Sequence, residues 1–325
     1  MLTISFNISS QTGNTSYGTN ALSNNIGDYN TAFGYQSLEN NSSGDYNTAL
    51  GVSALRSITT GDANTGIGSF ALYYNTQGLW NVGVGYYSLF ANTGSGNTAV
   101  GFRSMMDNTT GGDNSAFGFH SLAHNTEGNY NTGVGRRALY SNTTGSDNVA
   151  VGDYALNNNL TGNYNVAVGR YAETSSNSST NQTVIGYQAT GQADNSVVLG
   201  NSDVTAVYMA EDSGATIYAG NATFNGDVVI QSDARLKSNI VSLGSTLNKL
   251  LQIDGKSYEM KGRQKIGVLA QDIQELFPEL VTVDDNEMLA VNYQGLVPVL
   301  INAIKEQQKE IDELKGVLQK LVNTK

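Results

Sequence analysis

The sequence predicts a mainly β fold: a repeat β-solenoid or β-roll body, then a small α+β domain ending in a coiled-coil helix. Three observations predict it. A period of 17 residues runs through the first 200 positions. Composition changes near residue 232: the first 231 residues hold 15 acids, five arginines and no lysine, net −10, whereas the last 94 hold 13 acids and 12 bases, net −1. Finally, apolar positions near the C-terminus alternate by three and four, the spacing of a coiled-coil seam.

The repeat comes first because a missed period misassigns the whole fold. Its unit approximates Gly-Asp/Asn-x-Asn-Thr-Ala-Val/Phe-Gly-x-x-Ala/Ser-Leu followed by a polar stretch. The closing glycines run from Gly18 and Gly34 through Gly51, Gly101 and Gly135 to Gly186, 17 apart with two intervals of 16, and asparagines keep the same beat from Asn14 and Asn30 to Asn165. Each unit carries two short apolar steps, for example Ala49–Leu50 and Ala54–Leu55. Alternating small and large side chains suit short strands, so two strands and two turns per unit are expected, with glycine at a corner needing positive φ. One unit cannot bury a core. Stacking at the ~4.8 Å strand spacing sets like on like and turns the asparagines into an amide ladder.

These residues divide the chain into an N-terminal segment (1–12), a solenoid head (13–200) that ends in the looser "NSVVLGN", a β-rich neck (201–231) and a C-terminal domain (232–325). Within the last, "LAQDIQELFPEL" is spaced for one helix face and Pro278 stops the helix. Val297, Leu300, Ile304, Gln307, Ile311, Leu314, Leu318 and Leu321 form a coiled-coil seam over about 297–322 with one polar member.

"SDARLKSNI" at 232, "IGVLAQDIQELFPELV" about thirty residues later and "VNYQGLVPVLINAIKEQQKEIDELKGVLQKL" together resemble the self-cleaving intramolecular chaperone that closes many phage tail fibres and tail spikes, endosialidase spikes among them. The resemblance implies cleavage between Gln231 and Ser232, with Ser232 and Lys237 acting together. A serine hydroxyl reaches its own preceding carbonyl through a five-membered ring once a base takes its proton. Lysine serves as that base only where burial or a neighbouring cation lowers its pKa, and burial formed in an assembled trimer would make cleavage report correct folding. Asp233 and Arg235 complete the motif in supporting roles: Asp233 orients Lys237 or caps a turn, and Arg235 pairs with an acid of a neighbouring chain. The bland reading of the hexapeptide alone is a polar turn before "LGSTLNKLLQI"; the two later segments, in matching order, weigh against it.

The repeats themselves resemble the β-roll heads of trimeric adhesins, whose period is shorter, and that likeness implies three chains about one axis. A lone chain has one thin face to bury, which trimerisation covers. The resemblances together imply a homotrimeric, host-binding tail-fibre protein of a bacteriophage virion. It would assemble in the host cytoplasm, meet tail or baseplate proteins and a cell-surface receptor, in all expectation a glycan, and shed its chaperone in a single autoproteolytic event. Aromatic residues before the ladder asparagine, Tyr29, Tyr46, Trp80, Tyr130 and Tyr164, are the candidate glycan contacts; stacking on one another is their plainer role. A bacterial surface or injection-system adhesin with the same chaperone is the alternative, kept open because no baseplate-attachment region is seen at the start. A polysaccharide-degrading spike is a third reading, disfavoured because no pair of acids stands out as a glycosidase couple.

Composition narrows the partners. An acidic, lysine-free body is a poor match to phosphate backbones, so no nucleic acid is expected. With no cysteine, neither disulfides nor cysteine metal sites arise. His120 and His124, the only histidines, lie four apart without a third ligand, so no metal or cofactor is expected. The N-terminus has no basic segment followed by a long apolar run, so neither a signal peptide nor membrane insertion is expected.

Overall fold

The computed structural model describes residues 12–208, 222, 228, 232–260, 262–284 and 287–323. The chain divides into two compact units, Met1–Ile217 and Tyr218–Lys325.

The first unit is a solenoid. Twelve strands, from β1 (Thr15–Tyr17) to β12 (Ser196–Leu199), form one parallel sheet in strict sequence order. Register follows the repeat: Thr31 pairs with Thr48, Ala32 with Ala49, Phe33 with Leu50, and so along the chain. Each full coil contributes one short strand, so the expected second strand is corrected. Over the second apolar step the leucine lies at positive φ, as in Leu55 (51°) and Leu122 (51°), which no β-strand accommodates. The step is a turn whose leucine points inward, with Leu55 N–H donating to Ala71 O at 2.9 Å in the next coil.

The core is correspondingly narrow. Strand alanines such as Ala49, Ala99 and Ala150 face a column of Leu38, Leu55, Leu72, Leu89, Met105, Leu122, Leu139 and Leu156, all fully buried. Burying each such side chain contributes roughly 2–3 kcal/mol. Corner glycines hold φ between 127° and 142° from Gly18 to Gly186, and a Cβ there would strike the backbone of the next coil. Only glycine satisfies both limits.

Two buried asparagine ladders close the other side. In the first, Asn114 Oδ1 accepts from Asn131 N–H at 2.9 Å while Asn131 Nδ2 donates to Gly145 O at 2.8 Å, and the pattern recurs from Asn30 to Asn165. The second, absent from the sequence expectation, links Asn108, Asn125, Asn142 and Asn159 through amide bonds of 2.7–2.8 Å and is interrupted by buried Ile58. Its signal was the recurring asparagine at the end of each polar stretch.

The outer sheet face is uncharged. In the repeat strands the middle residue is buried and its neighbours point out, giving one column of Thr, Val and Ser and a second of Tyr17, Phe33, Leu50, Ile67, Val84, Val100, Phe117, Val134, Val151, Val168, Ile185 and Leu199. Most of this second column is exposed over a length of roughly 50 Å.

Residues 201–208 carry no strand, and most of the expected neck, 209–231, lies outside the described residues, as does most of the segment 1–12. The second unit contains α1 (Leu247–Leu250), the hairpin β13 (Lys256–Met260) and β14 (Arg263–Gly267), α2 (Ala270–Leu276), the pair β15 (Val281–Val283) and β16 (Leu289–Val291), and the 28-residue α3 (Leu296–Asn323). Pro278 ends α2 by opening a 3-10 turn. Ile273, Phe277, Leu280 and Val299 make the core of this unit. The Glu306 carboxylate on α3 accepts from Thr246 N–H (2.7 Å), Ser245 Oγ (2.7 Å) and Leu247 N–H (3.2 Å), closing the start of α1. Those hydrogen bonds hold Glu306 below the usual carboxylate range.

One position is anomalous. Glu173 falls 17 places after Leu156 of the core column, with its N–H donating to Ala189 O at 3.0 Å, but it is half-buried and its carboxylate accepts from Asn158 N–H at 3.2 Å; its partial burial pushes the carboxyl up to about 7. The folded state therefore holds the Glu173 proton more tightly than the unfolded chain. Stability is greatest near pH 4 and falls by on the order of 3 kcal/mol as pH rises to about 7, then levels off. Glu173→Gln should abolish this loss, raising the Tm of the last coils at pH 8 and leaving it unchanged at pH 4. Asn131→Ala, which orphans Asn148 N–H and removes one of the two side-chain donors to Gly145 O, should cost on the order of 2 kcal/mol in denaturant melts.

Candidate functional site

The SDARLK segment folds into a compact turn. Ala234–Leu236 form one 3-10 turn, begun by Asp233, whose Oδ1 accepts from Arg235 N–H at 2.8 Å, and ended by Lys237, whose N–H donates to Ala234 O. Because the turn folds the chain back on itself, two side chains five residues apart meet: Lys237 Nζ donates to Ser232 Oγ at 2.6 Å. An amine and a hydroxyl in this contact are poised to exchange a proton, the first requirement of an activated serine. Both residues are exposed in the single chain.

Asp233 does not touch Lys237. Its carboxylate is engaged by the Arg235 guanidinium, with Nη2 donating to Oδ2 at 2.6 Å and Nε to Oδ1 at 3.0 Å. Arg235 thus has its acid within its own chain, and its hydrogen bonds hold the Asp233 carboxyl below the usual range. Asp233 braces the turn that brings Ser232 and Lys237 together. Gln231, on the other side of the expected scissile bond, lies outside the described residues.

The candidate glycan column occupies a single site in the coil. Tyr29, Tyr46, Trp80, Tyr130 and Tyr164 all have φ of 57–59° and all are exposed. The structure stacks only the first pair, with ring centroids 5.0 Å apart and planes within 5°. Ala63, Gly96, Asp113 and Asp147 hold the intervening places, also at positive φ, so the other three rings stand singly.

A second aromatic array, missed in the sequence reading, follows the corner glycines. Phe70, Tyr73, Tyr74, Tyr86, Tyr87 and Phe90 form one contiguous set of ring contacts, and Phe102 stacks on Phe119 at 5.2 Å. Its signal was present as aromatics one, two, five and six places after the glycine. The two histidines lie in this array and do not join: His124 Nδ1 lies 2.7 Å from Asp107 Oδ2, and His120 packs on Phe119. Among the described residues no group of three or more metal-ligating side chains occurs, and no helix is long and apolar enough to cross a membrane.

A parallel repeat solenoid and a separate small α+β unit that carries a serine–lysine turn define the class of architecture. Residues 232–282 match the family described as chaperone of endosialidase. The chain is also similar to long tail fibre proteins named Gp37 from three Enterobacteria phages. It is 34% identical to that of phage M1 over 125 residues, which are 35% of this chain and 49% of the relative. Identity to the phage Ox2 protein is 33% over 137 residues, 38% of this chain and 53% of the relative. For phage K3 the figures are 33% over 150 residues, 38% and 12%. The matches therefore span about half of these relatives or less. The likeness to the chaperone family thus covers the first part of the second unit, and the likeness to long tail fibre proteins about a third of the chain.

Proposed function

We propose that this chain is the distal part of a trimeric, host-binding phage tail fibre, and that its C-terminal domain aligns three chains and then frees itself by one cleavage between Gln231 and Ser232. The observation that carries the proposal is the surface one chain leaves uncovered. Along the solenoid an apolar sheet face bears no charged residue in either outward column although the body is net −10. On α3 the seam residues Val297, Leu300, Ile304, Ile311, Leu314, Leu318 and Leu321 are exposed, while Val299 and Ala303 face their own unit. Both surfaces are self-complementary: a second copy in register presents the same columns, and like charges are absent. Apolar surfaces this extended mark association sites.

Three α3 helices packed on their seams would hold three solenoids in register. Coils that repeat every 17 residues can slip by one unit and still bury leucine on leucine, so an external alignment device has a physical purpose. The boundaries 13–200, 201–231 and 232–325 divide that labour into head, neck and chaperone. Similarity to phage long tail fibre proteins supports a location on the virion tail and contact with neighbouring tail proteins.

In the cleavage step, Lys237 takes the Ser232 hydroxyl proton and Oγ attacks the Gln231 carbonyl carbon. The C–N bond breaks as the proton passes to the Ser232 nitrogen, leaving an ester from Gln231 to Ser232 Oγ. Water then hydrolyses the ester, restoring the serine and releasing a Gln231 carboxylate. An ammonium in water is a poor base; burial of the Ser232–Lys237 turn in the trimer supplies the desolvation that frees its lone pair. The Asp233–Arg235 pair keeps the turn closed meanwhile.

Intact mass of the purified protein tests the chemistry: the wild type should yield fragments of 231 and 94 residues, and Ser232→Ala and Lys237→Ala should each remain whole. A trimeric wild type that stays a single chain overturns the cleavage reading. For assembly, Leu50→Glu with Val134→Glu should lower the mass measured by light scattering from three chains towards one. Leu314→Glu should do the same before cleavage; a monomeric wild type overturns the trimer.

A further inference from the structure

All five basic residues of the first 231 lie within five positions after a corner glycine: Arg56, Arg103, Arg136, Arg137 and Arg170. They are gathered on one flank of an otherwise acidic body. Most have an acid. Arg56 pairs with Glu39 at 2.7 Å, while Arg136 and Arg170 share Asp153 at 2.9 and 3.5 Å. Arg103 and Arg137 do not. The Arg103 guanidinium lies 5.2 Å from the centroid of Phe102 and 5.9 Å from that of Tyr87, and its Nε is buried without a hydrogen-bond partner. Arg137 lies over Tyr140 (5.0 Å) and Tyr154 (5.5 Å), with only the Tyr154 hydroxyl, 3.3 Å from Nη1, as a side-chain acceptor.

These two arginines occupy the same site in the coil, two coils apart, with His120 between them: Arg103, His120 and Arg137 donate their backbone N–H to Tyr86, Phe102 and Phe119 of the preceding coils and share φ of 53–56°. The spacing of Arg103 and Arg137 along the solenoid is thus about 10 Å. Beside the stripe Phe102 stacks between Tyr86 and Phe119, 17° and 8° from parallel, so that the two phenylalanines expose ring edges along the stripe. The nearby acid, Asp107, is taken up by His124. Burial and the two arginines hold His120 below its ordinary range, so at neutral pH the charge of the stripe is that of the two guanidiniums.

We propose that the stripe Arg103–His120–Arg137, with Phe102 and Phe119, binds an acidic glycan through carboxylates carried on its sugars. The inference rests on the host-binding reading and names its ligand class. Guanidinium forks bind carboxylates in bidentate fashion, and the exposed edges of the aromatic stack give sugar rings an apolar wall. An extended glycan laid along the solenoid meets one coil per sugar step, so acids two sugars apart fall on Arg103 and Arg137 with the intervening sugar beside Phe119.

The test is fluorescence anisotropy of the full chain with labelled oligogalacturonate. Binding should weaken with added salt and fall about tenfold or more in Arg103→Gln/Arg137→Gln, the loss of two charge-assisted contacts. Arg103→Lys/Arg137→Lys, which keeps charge and removes the fork, should lose part of the affinity, and Arg56→Gln, whose arginine already has an acid, none. Wild-type affinity in the double Gln variant overturns the site. So does equal competition by uncharged maltohexaose, and pyrophosphate binding in calorimetry by a protein that leaves the oligogalacturonate anisotropy unchanged overturns the carboxylate class. Adsorption of the same protein to bacterial cells separates the two readings. Protein that adsorbs but does not bind the probe overturns this site and leaves adhesion standing; protein that binds the probe and adsorbs to no cell does the reverse.

Discussion

Every feature of the solenoid depends on stacking in register at one strand spacing. A coil of 17 residues holds several non-glycine residues in left-handed backbone and, over most of the array, two buried asparagines, each of which is unfavourable in isolation. Stacking answers both. The backbone N–H of a left-handed leucine finds a carbonyl in the next coil, and each ladder amide finds the equivalent amide or a glycine carbonyl there. A coil shifted by one residue would lose all of these bonds together. The fold is therefore held by cooperation between neighbours, with only one narrow column of leucine as apolar core.

That cooperation also explains what the surface is free to do. Inward and corner positions admit Leu, Ala, Asn and Gly almost without variation, whereas the outward columns change from coil to coil. Acids gather at the turn before the ladder asparagine, where Asp28, Asp45 and Asp62 chain to one another through backbone N–H bonds. Arginines and aromatic rings gather after the corner glycine, and the strand face carries neither charge. One chain thus presents three chemically separate stripes on a common scaffold: one suited to its own copies, one to an anionic ligand, and one to water.

In the proposed trimer, identical coils create a register problem, and the C-terminal unit is the element suited to solve it. Leucine on leucine is satisfied by many registers, and only a non-repeating element can select one. Helix α3 is such an element: its inner residues tie it to its own unit, Glu306 fastens it to α1, and its outer seam is left for other helices. The serine–lysine turn stands at the start of the same unit. In the proposed assembly, coupling chemistry to burial makes the cut follow alignment.

By itself the sequence determined the parallel repeat, its period, the first asparagine ladder, the corner glycines, the helix stop at Pro278 and the seam on α3, because each is written in spacing, and spacing survives without knowledge of contacts. It also pointed to Ser232 and Lys237 through their neighbours. Only tertiary structure decided that the second apolar step is a left-handed turn, since Ala54–Leu55 and Ala49–Leu50 read alike until the next coil supplies a carbonyl to one and a strand partner to the other. Likewise, the half-buried setting of Glu173, whose carboxylate accepts from the Asn158 N–H, is set by a residue 15 positions away. Asp233 could face either Lys237 or Arg235, and the turn chose the arginine. Which arginines keep an acid is decided by residues 17 positions away in the chain and one coil away in space, a relation that composition does not carry and stacking does.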